Sequence, residues 1–251
     1  MNIIDKVNRS RYTLKEVLED EWNVDSVPDV SNQEIEKIYT LSASMDANIA
    51  PFGIASACNF SLSHKFLPSY KLHVIYFNFP EIGKNNSKVT KSACDKIINL
   101  YESDLVHQDD SLFIIINDKY SESLEKSFQT LNTHLQSKYN EVSIEDNIVQ
   151  EMKDSDYYLE NKHFRNVHLF DINELTNNLL KHRLVPKHNI IRKSKDINHI
   201  LESNNCLLSQ LPIILKNDTC CKLLRVSTGD ICEIERVSRK SGNYSFYRVC
   251  K

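Results

Sequence analysis

The chain has few glycines, no paired metal-binding cysteines and no long apolar run, and each absence removes a class of function. Only Gly53, Gly83, Gly229 and Gly242 occur in 251 residues. A phosphate-cradling loop needs several glycines close together, so that the backbone can approach the phosphate. Neither a Walker A loop nor a dinucleotide fingerprint can be written with these four. The seven cysteines, Cys58, Cys94, Cys206, Cys220, Cys221, Cys232 and Cys250, form no C-x-x-C pair, and an odd number of unpatterned cysteines reads as reduced, mostly buried thiols. No stretch of about 18 apolar residues exists to span a bilayer. Met1 to Leu18 carries charge throughout and lacks the apolar centre of a signal peptide, so an intracellular protein without a membrane partner is expected. No repeat or low-complexity tract is present.

What is present divides by charge. From Lys181 to Lys251 there are fourteen Lys/Arg against six Asp/Glu, a net of +8, whereas the rest of the chain carries −11. Opposite signs point to two domains with different partners. In the first part, Ile3, Val7, Leu14, Val17 and Leu18 recur at helical spacing, and the helix is expected to end before Val27-Pro28. Leu72 to Phe79 reads as a strand closed by Pro80. Val89, Ala93, Ile97, Leu100 and Tyr101 mark a helix, and the apolar run Leu112 to Ile116 a fully buried strand. Leu124, Phe128, Leu131 and Leu135 form a second helical stripe, with Ser121 as its N-cap and Glu122 in its first turn. A further strand is read over Phe164 to Phe170. Asp171 and Glu174 then resemble a capping box on a helix running to Pro186. This is an α/β order. Residues 41–70 and 140–162 show no period and read as insertions or loops; the second is acidic.

The last seventy residues differ. Asp218 is placed to cap a short helix through Leu224. Ile231 to Val237 and Tyr244 to Val249 read as strands, with Ser241-Gly242-Asn243 in the turn between them. A module of this size has a marginal core by itself. The expected class is therefore a two-domain protein: an α/β domain over 1–175 and a small α+β domain with a β-hairpin over 176–251.

Two stretches carry a resemblance. The first is His182-Arg183-Leu184-Val185-Pro186-Lys187-His188. The second runs from Gln210-Leu211-Pro212-Ile213-Ile214 to the end. It includes Gly229-Asp230-Ile231, Ile234-Glu235-Arg236, Ser238, Gly242-Asn243-Tyr244 and Tyr247-Arg248-Val249. In order, and after Leu211 in spacing, these resemble the C-terminal domain of the fifth-largest subunit shared by eukaryotic nuclear RNA polymerases, whose archaeal equivalent is essentially this domain alone. The resemblance implies a non-catalytic structural subunit of a DNA-dependent RNA polymerase. The C-terminal assembly domain would dock on the largest subunit and meet other polymerase subunits. The N-terminal jaw domain would help shape the channel for the downstream DNA duplex through backbone contacts. No cofactor or metal is implied.

The interface residues it implies are Pro186, His188, Leu211, Pro212, Arg236, Tyr244, Tyr247 and Arg248. Gly229 and Gly242 are expected at turns that need positive φ, and Lys119, Ser121 and Ser123 near DNA. Tyr244 and Arg248 should share one face of a strand and Tyr247 the other. His182 and His188 are expected to be hydrogen-bonded packing residues. Arg192, Lys193 and Lys195 form a short basic run.

The chain departs from the family pattern in five places. Val249 falls one position before the family's last valine, where Cys250 stands. Ile213 stands where the family has arginine. Thr219-Cys220-Cys221-Lys222 follows Asp218 in place of a proline-containing segment. Arg225 stands where glycine is usual. Ser121-Glu122-Ser123-Leu124 replaces a Thr-Pro-Ser-Ala turn. With an Asn-, Lys- and Ile-rich composition, this divergence points to a virus or a protist, a large cytoplasmic DNA virus first; a viral member would act in the host cytoplasm or virion and a cellular one in the nucleus. Two other readings stay open: a metal-dependent nuclease using Asp118-Lys119 after the buried strand, and a free-standing regulator that carries the assembly domain.

Overall fold

A computed structural model describes residues 1–41, 52–83, 89, 92–119, 121–139, 143–155, 157–240 and 242–251. Ser241 of the expected turn, and the first residues of the two expected loops, 42–51 and 140–142, lie outside the described residues. The chain forms two compact units. One comprises 1–157 with 164–177, the other 158–163 with 178–251.

The N-terminal unit is built on a four-stranded sheet in the order β1 (Phe60–Ser63), β2 (Lys71–Tyr76), β3 (Ser111–Ile116), β4 (Val167–Asp171). β1 pairs antiparallel with β2, and β2, β3 and β4 run parallel. All six residues of β3 are buried, which is why its sequence is apolar without alternation: a central parallel strand is covered on both faces. The β2–β3 crossover holds α3 (Ser92–Glu102), and the β3–β4 crossover holds α4 (Glu122–Tyr139). Successive right-handed crossovers in one direction put both helices on the same face. Ile97, Leu100, Leu124, Phe128, Leu131 and Leu135 pack there with Ile75, Leu112, Ile114, Ile116, Val167 and Leu169.

Tyr76, Phe113 and Phe170 alternate to the opposite face. There Ser10 of α1 (Ile3–Leu18) hydrogen-bonds the Tyr76 hydroxyl at 2.8 Å. α1 also packs with α2 (Asn32–Leu41) and with the turn 172–175. The Tyr39 hydroxyl donates to the Pro80 carbonyl.

Three expectations are corrected here. Residues 41–70 contain a 3-10 turn at Ser56–Cys58 and the edge strand β1; four residues are too few for an alternation to register. Residues 140–162 contain α5 (Asp146–Ser155), whose buried side chains are Ile148 and Met152. That pair alone leaves little apolar period. The helix expected from Asp171 to Pro186 is instead two 3-10 turns, Ile172–Leu175 and Leu179–Lys181. Asp171 and Asn178 each cap one by accepting backbone N–H groups, so the polar side chains end each turn as it begins.

The C-terminal unit carries a second four-stranded sheet, in the order β5 (His188–Ile191), β7 (Ile231–Ser238), β8 (Gly242–Cys250), β6 (Ile213–Ile214). β7 and β8 form a hairpin with Ser238 opposite Gly242, whose φ is +67°. α6 (Ser194–Ser203) and α7 (Thr219–Leu223) complete the unit. Its core gathers Ile214, Cys221, Val226, Cys232, Ile234 and Cys250.

Asp218 caps α7 through the Cys220 N–H at 2.9 Å. At the other end the Val226 N–H reaches the Cys221 carbonyl and the Arg225 N–H the Lys222 carbonyl. This is a Schellman closure, with Val226 and Cys221 meeting in the core. The residue that must turn left-handed is Arg225, at φ +54°. A side chain in this conformation costs about 1–2 kcal/mol, a cost that glycine would avoid.

Candidate docking surface

The cross-strand register sorts the predicted residues by face. Arg236 stands opposite Tyr244, Ile234 opposite Phe246, and Cys232 opposite Arg248, so these six share the core-facing side of the hairpin. Cys232 and Ile234 enter the core, and towards the hairpin tip the same face becomes polar and aromatic. The Arg236 guanidinium lies 4.5 Å and that of Arg248 5.4 Å from the centre of the Phe246 ring. Two cations on one ring form a half-buried platform held by cation–π attraction, with Tyr244 exposed beside it. Phe246 is absent from the residues expected on sequence grounds, although its i±2 relation to Tyr244 and Arg248 is visible there.

Tyr247 points to the other face. Its hydroxyl donates to Glu233 at 3.2 Å, and burial together with that carboxylate pushes its phenol pKa up. Asn189 bridges Glu233 and Glu235 alongside it.

Leu211 and Pro212 lead into β6, where the Pro212 carbonyl accepts the Val249 N–H at 2.9 Å. Arg248 donates to the Ile213 carbonyl at 3.2 Å, so the platform and the β6 edge are tied. Ile213 is 47% and Leu215 58% exposed, and Pro212 is exposed as well. An apolar edge beside an Arg–aromatic platform has the residue types that anchor protein interfaces.

Pro186 and His188 are half-buried where β5 begins, and His188 Nδ1 donates to the Pro186 carbonyl at 2.7 Å. His182 is exposed and accepts the Leu184 N–H through Nδ1; it is a turn residue, not the packing histidine expected. Arg192 donates to the Leu224 carbonyl at 3.0 Å, which ties this member of the basic run down, while Lys193 and Lys195 stay exposed. Gly229 has φ +88°.

The buried cysteines of this unit are chemically quiet. Burial raises the thiol pKa of Cys220 and Cys250 to about 11 and of Cys232 to about 12, so they stay protonated near neutrality. Among the described residues no group of three His, Cys, Asp or Glu is gathered to hold a metal ion, and no helix is long and apolar enough to cross a membrane.

In the N-terminal unit, Lys119 and Ser121 are exposed between β3 and α4, and Ser123 is exposed in the first turn of α4. Ser121 Oγ accepts the Leu124 N–H at 3.3 Å. Asp118 takes the Lys119 N–H at 2.8 Å. A chain of hydrogen bonds that the sequence did not signal joins Ser61 Oγ to His73 Nδ1 at 2.7 Å and His73 Nε2 to the buried Asp110 at 2.9 Å. Asp110 also accepts the Lys71 N–H, so the chain stitches edge strand β1 through β2 to the start of β3.

The site so defined belongs to a class of small α+β modules that present an Arg–aromatic hairpin and an apolar edge. Residues 177–250, which include the whole of that sheet, match the family model for the RNA polymerase Rpb5 C-terminal domain. The chain is 40% identical over 72 residues to the DNA-directed RNA polymerase subunit Rpo5 of Pyrococcus abyssi (strain GE5 / Orsay), which is 29% of this chain and 87% of that protein. It is 39% identical over 67 residues to the subunit Rpo5 of Nitrosopumilus maritimus (strain SCM1), 27% of this chain and 80% of that one. It is also 36% identical over 81 residues to the DNA-directed RNA polymerases I, II, and III subunit rpabc1 of Dictyostelium discoideum, 32% of this chain and 41% of that protein. The chain belongs to the Rpb5/Rpo5 family.

Proposed function

We propose that this chain is a structural, non-catalytic subunit of a multisubunit DNA-dependent RNA polymerase. The observation that carries the proposal is the family match over 177–250, together with the surface that the same residues build. In this reading the C-terminal unit is the assembly domain. It docks on the largest subunit through the β6 edge, with Pro212 and Ile213, and through the Arg236–Phe246–Arg248 platform. The N-terminal unit is the jaw and lies beside the downstream duplex. Lys119, Ser121 and Ser123 meet phosphate there, with Glu122 limiting how closely they approach. Such contacts are to the backbone, independent of sequence and weakened by salt.

The test is affinity purification of the tagged full chain from its native source, with quantitative mass spectrometry of its partners. Recovery of the two largest polymerase subunits at one-to-one is expected. Recovery alone or with unrelated partners overturns the proposal, and substoichiometric polymerase points to a free-standing regulator. The double variant Pro212→Ala/Arg236→Ala should lose at least about tenfold in retention, as expected when two interface anchors are truncated. Unchanged retention removes both residues from the interface.

A further inference from the structure

The C-terminal unit contains six residues from a distant part of the chain. Tyr158–His163 leave the N-terminal unit at 157/158 and return to it at 163/164, and in between they pack as part of the C-terminal unit. They lie outside the family match at 177–250, and in the Pyrococcus relative the matched module makes up 87% of the protein.

The inserted segment is fastened at two points. At the first, Glu160 accepts from Ser194 Oγ at 2.6 Å in the first turn of α6. A carboxylate there also suits the positive end of the helix. At the second, Lys162 Nζ lies 2.8 Å from the Asp230 carboxylate, and His163 Nε2 lies 3.1 and 3.2 Å from its two oxygens. His163 Nδ1 takes the Glu160 N–H at 2.9 Å, which leaves Nε2 as the donor to Asp230. The Lys162 carbonyl accepts from Ser227 Oγ at 3.0 Å. Asp230 has no solvent exposure, and a buried carboxylate persists only with partners of this kind. It also accepts the Ser227 N–H at 2.9 Å.

Asp230 is also where the docking edge is anchored. Its carbonyl accepts the Cys250 N–H at 2.9 Å, and the Gly229 N–H returns to the Cys250 carbonyl at 3.0 Å. Cys250 pairs with Ile214 on β6, and the Lys251 N–H closes on the Ile214 carbonyl.

We propose that residues 158–163 are an internal strap that completes the C-terminal unit and, through Asp230, sets the position of the β6–β8 edge. In this chain the module is a two-segment fold. Lys162 and His163 are positioning residues for a surface they do not themselves form. The strap stands independently of the polymerase reading; only its effect on partner retention rests on that reading.

The experiment is hydrogen–deuterium exchange by mass spectrometry on the full chain, wild type against Lys162→Met/His163→Gln. In the wild type the Glu160 and His163 amides should exchange slowly. In the variant, peptides covering 158–163, 227–232 and 246–251 should all exchange at least about tenfold faster, with 111–116 unchanged. Lys162→Met alone, a milder change, should give a smaller rise in the same three peptides if the double variant does not fold. Strap amides that exchange like free chain in the wild type overturn the proposal. So does a variant in which only the strap peptide responds. If exchange behaves as expected but the chain recovers no polymerase, the strap stands and the functional proposal falls.

Discussion

The two units both close a core on a four-stranded sheet, but with different materials. Among the described residues the largest fully buried side chains, including Trp22, Tyr39, Tyr70, Tyr76, Phe113 and Phe170, all lie in the N-terminal unit. The C-terminal core gathers Ile214, Cys221, Val226, Cys232, Ile234 and Cys250, with Leu223, Ile231 and Val249 also buried in that unit. Burial stabilises in proportion to apolar area, about 25 cal/mol per Å², so small side chains leave the second unit with less to draw on. It depends more on directional fasteners: the Asp230 cluster, the Schellman closure of α7 and the Arg236–Phe246–Arg248 stack. The N-terminal unit has buried polar pairs too. Arg165 reaches Asp109 at 2.5 Å with both side chains fully buried, but there the pair supplements a large aromatic core.

Four perturbations sharpen or break this contrast. The largest effect is expected from Phe113→Ala, which empties the centre of the N-terminal sheet. It should cost about 3–5 kcal/mol, seen as a lower melting temperature with exchange in 231–238 unaffected. Parallel loosening of 231–238 would mean that the two cores are not energetically separate.

Asp230→Ala should cost the C-terminal unit about 2–3 kcal/mol. That is less than for a sealed ion pair, because Lys162 keeps access to water; chemical denaturation followed by exchange in 227–250 measures it. Acid should reproduce part of that loss. Burial alone would raise the Asp230 pKa, but His163, Lys162 and the Ser227 N–H outweigh it and hold the carboxyl below its ordinary 3.8. A depressed carboxylate contributes stability that is present above pH 3.8 and lost as the pH falls through the folded value. The difference between wild type and Asp230→Asn should therefore be full at about pH 5 and shrink below 3.8. A pH-independent difference would show that the carboxylate charge is not what matters.

The smallest effect, and one of opposite sign, is expected at Arg225→Gly. Relief of the left-handed backbone should stabilise the unit by about 1 kcal/mol. A loss instead, measured by the same denaturation, would mean that the arginine side chain contributes more than its backbone costs.

The parts of the fold legible in the sequence share a feature: a repeating contact with one layer. β3 reads as an unbroken apolar run because both its faces are covered, and α3 and α4 read as stripes because each buries one. The hairpin is legible from Gly242 and two alternating runs, and with it the facing of Tyr244, Arg248 and Tyr247. β1 and α5 are not, because a short edge strand and a helix with only Ile148 and Met152 buried satisfy no period. The turns at 172–181 read as a helix because an Asp/Glu capping pattern is local and is the same whether a helix or a 3-10 turn follows.

What the sequence determined by itself is the family of the C-terminal module, since its motifs keep their order from Leu184 onward and need no gap after Leu211, and the periodic elements of the N-terminal unit. What only the tertiary structure decided is which distant residues meet. His163 stands 67 positions from Asp230, with Lys162 beside it, in an acidic stretch with no visible pattern. Their pairing follows from burial of a carboxylate that must be neutralised. Arg225 shows the same division: the sequence reveals that a glycine is missing, and the backbone angle reveals the cost that a glycine would avoid.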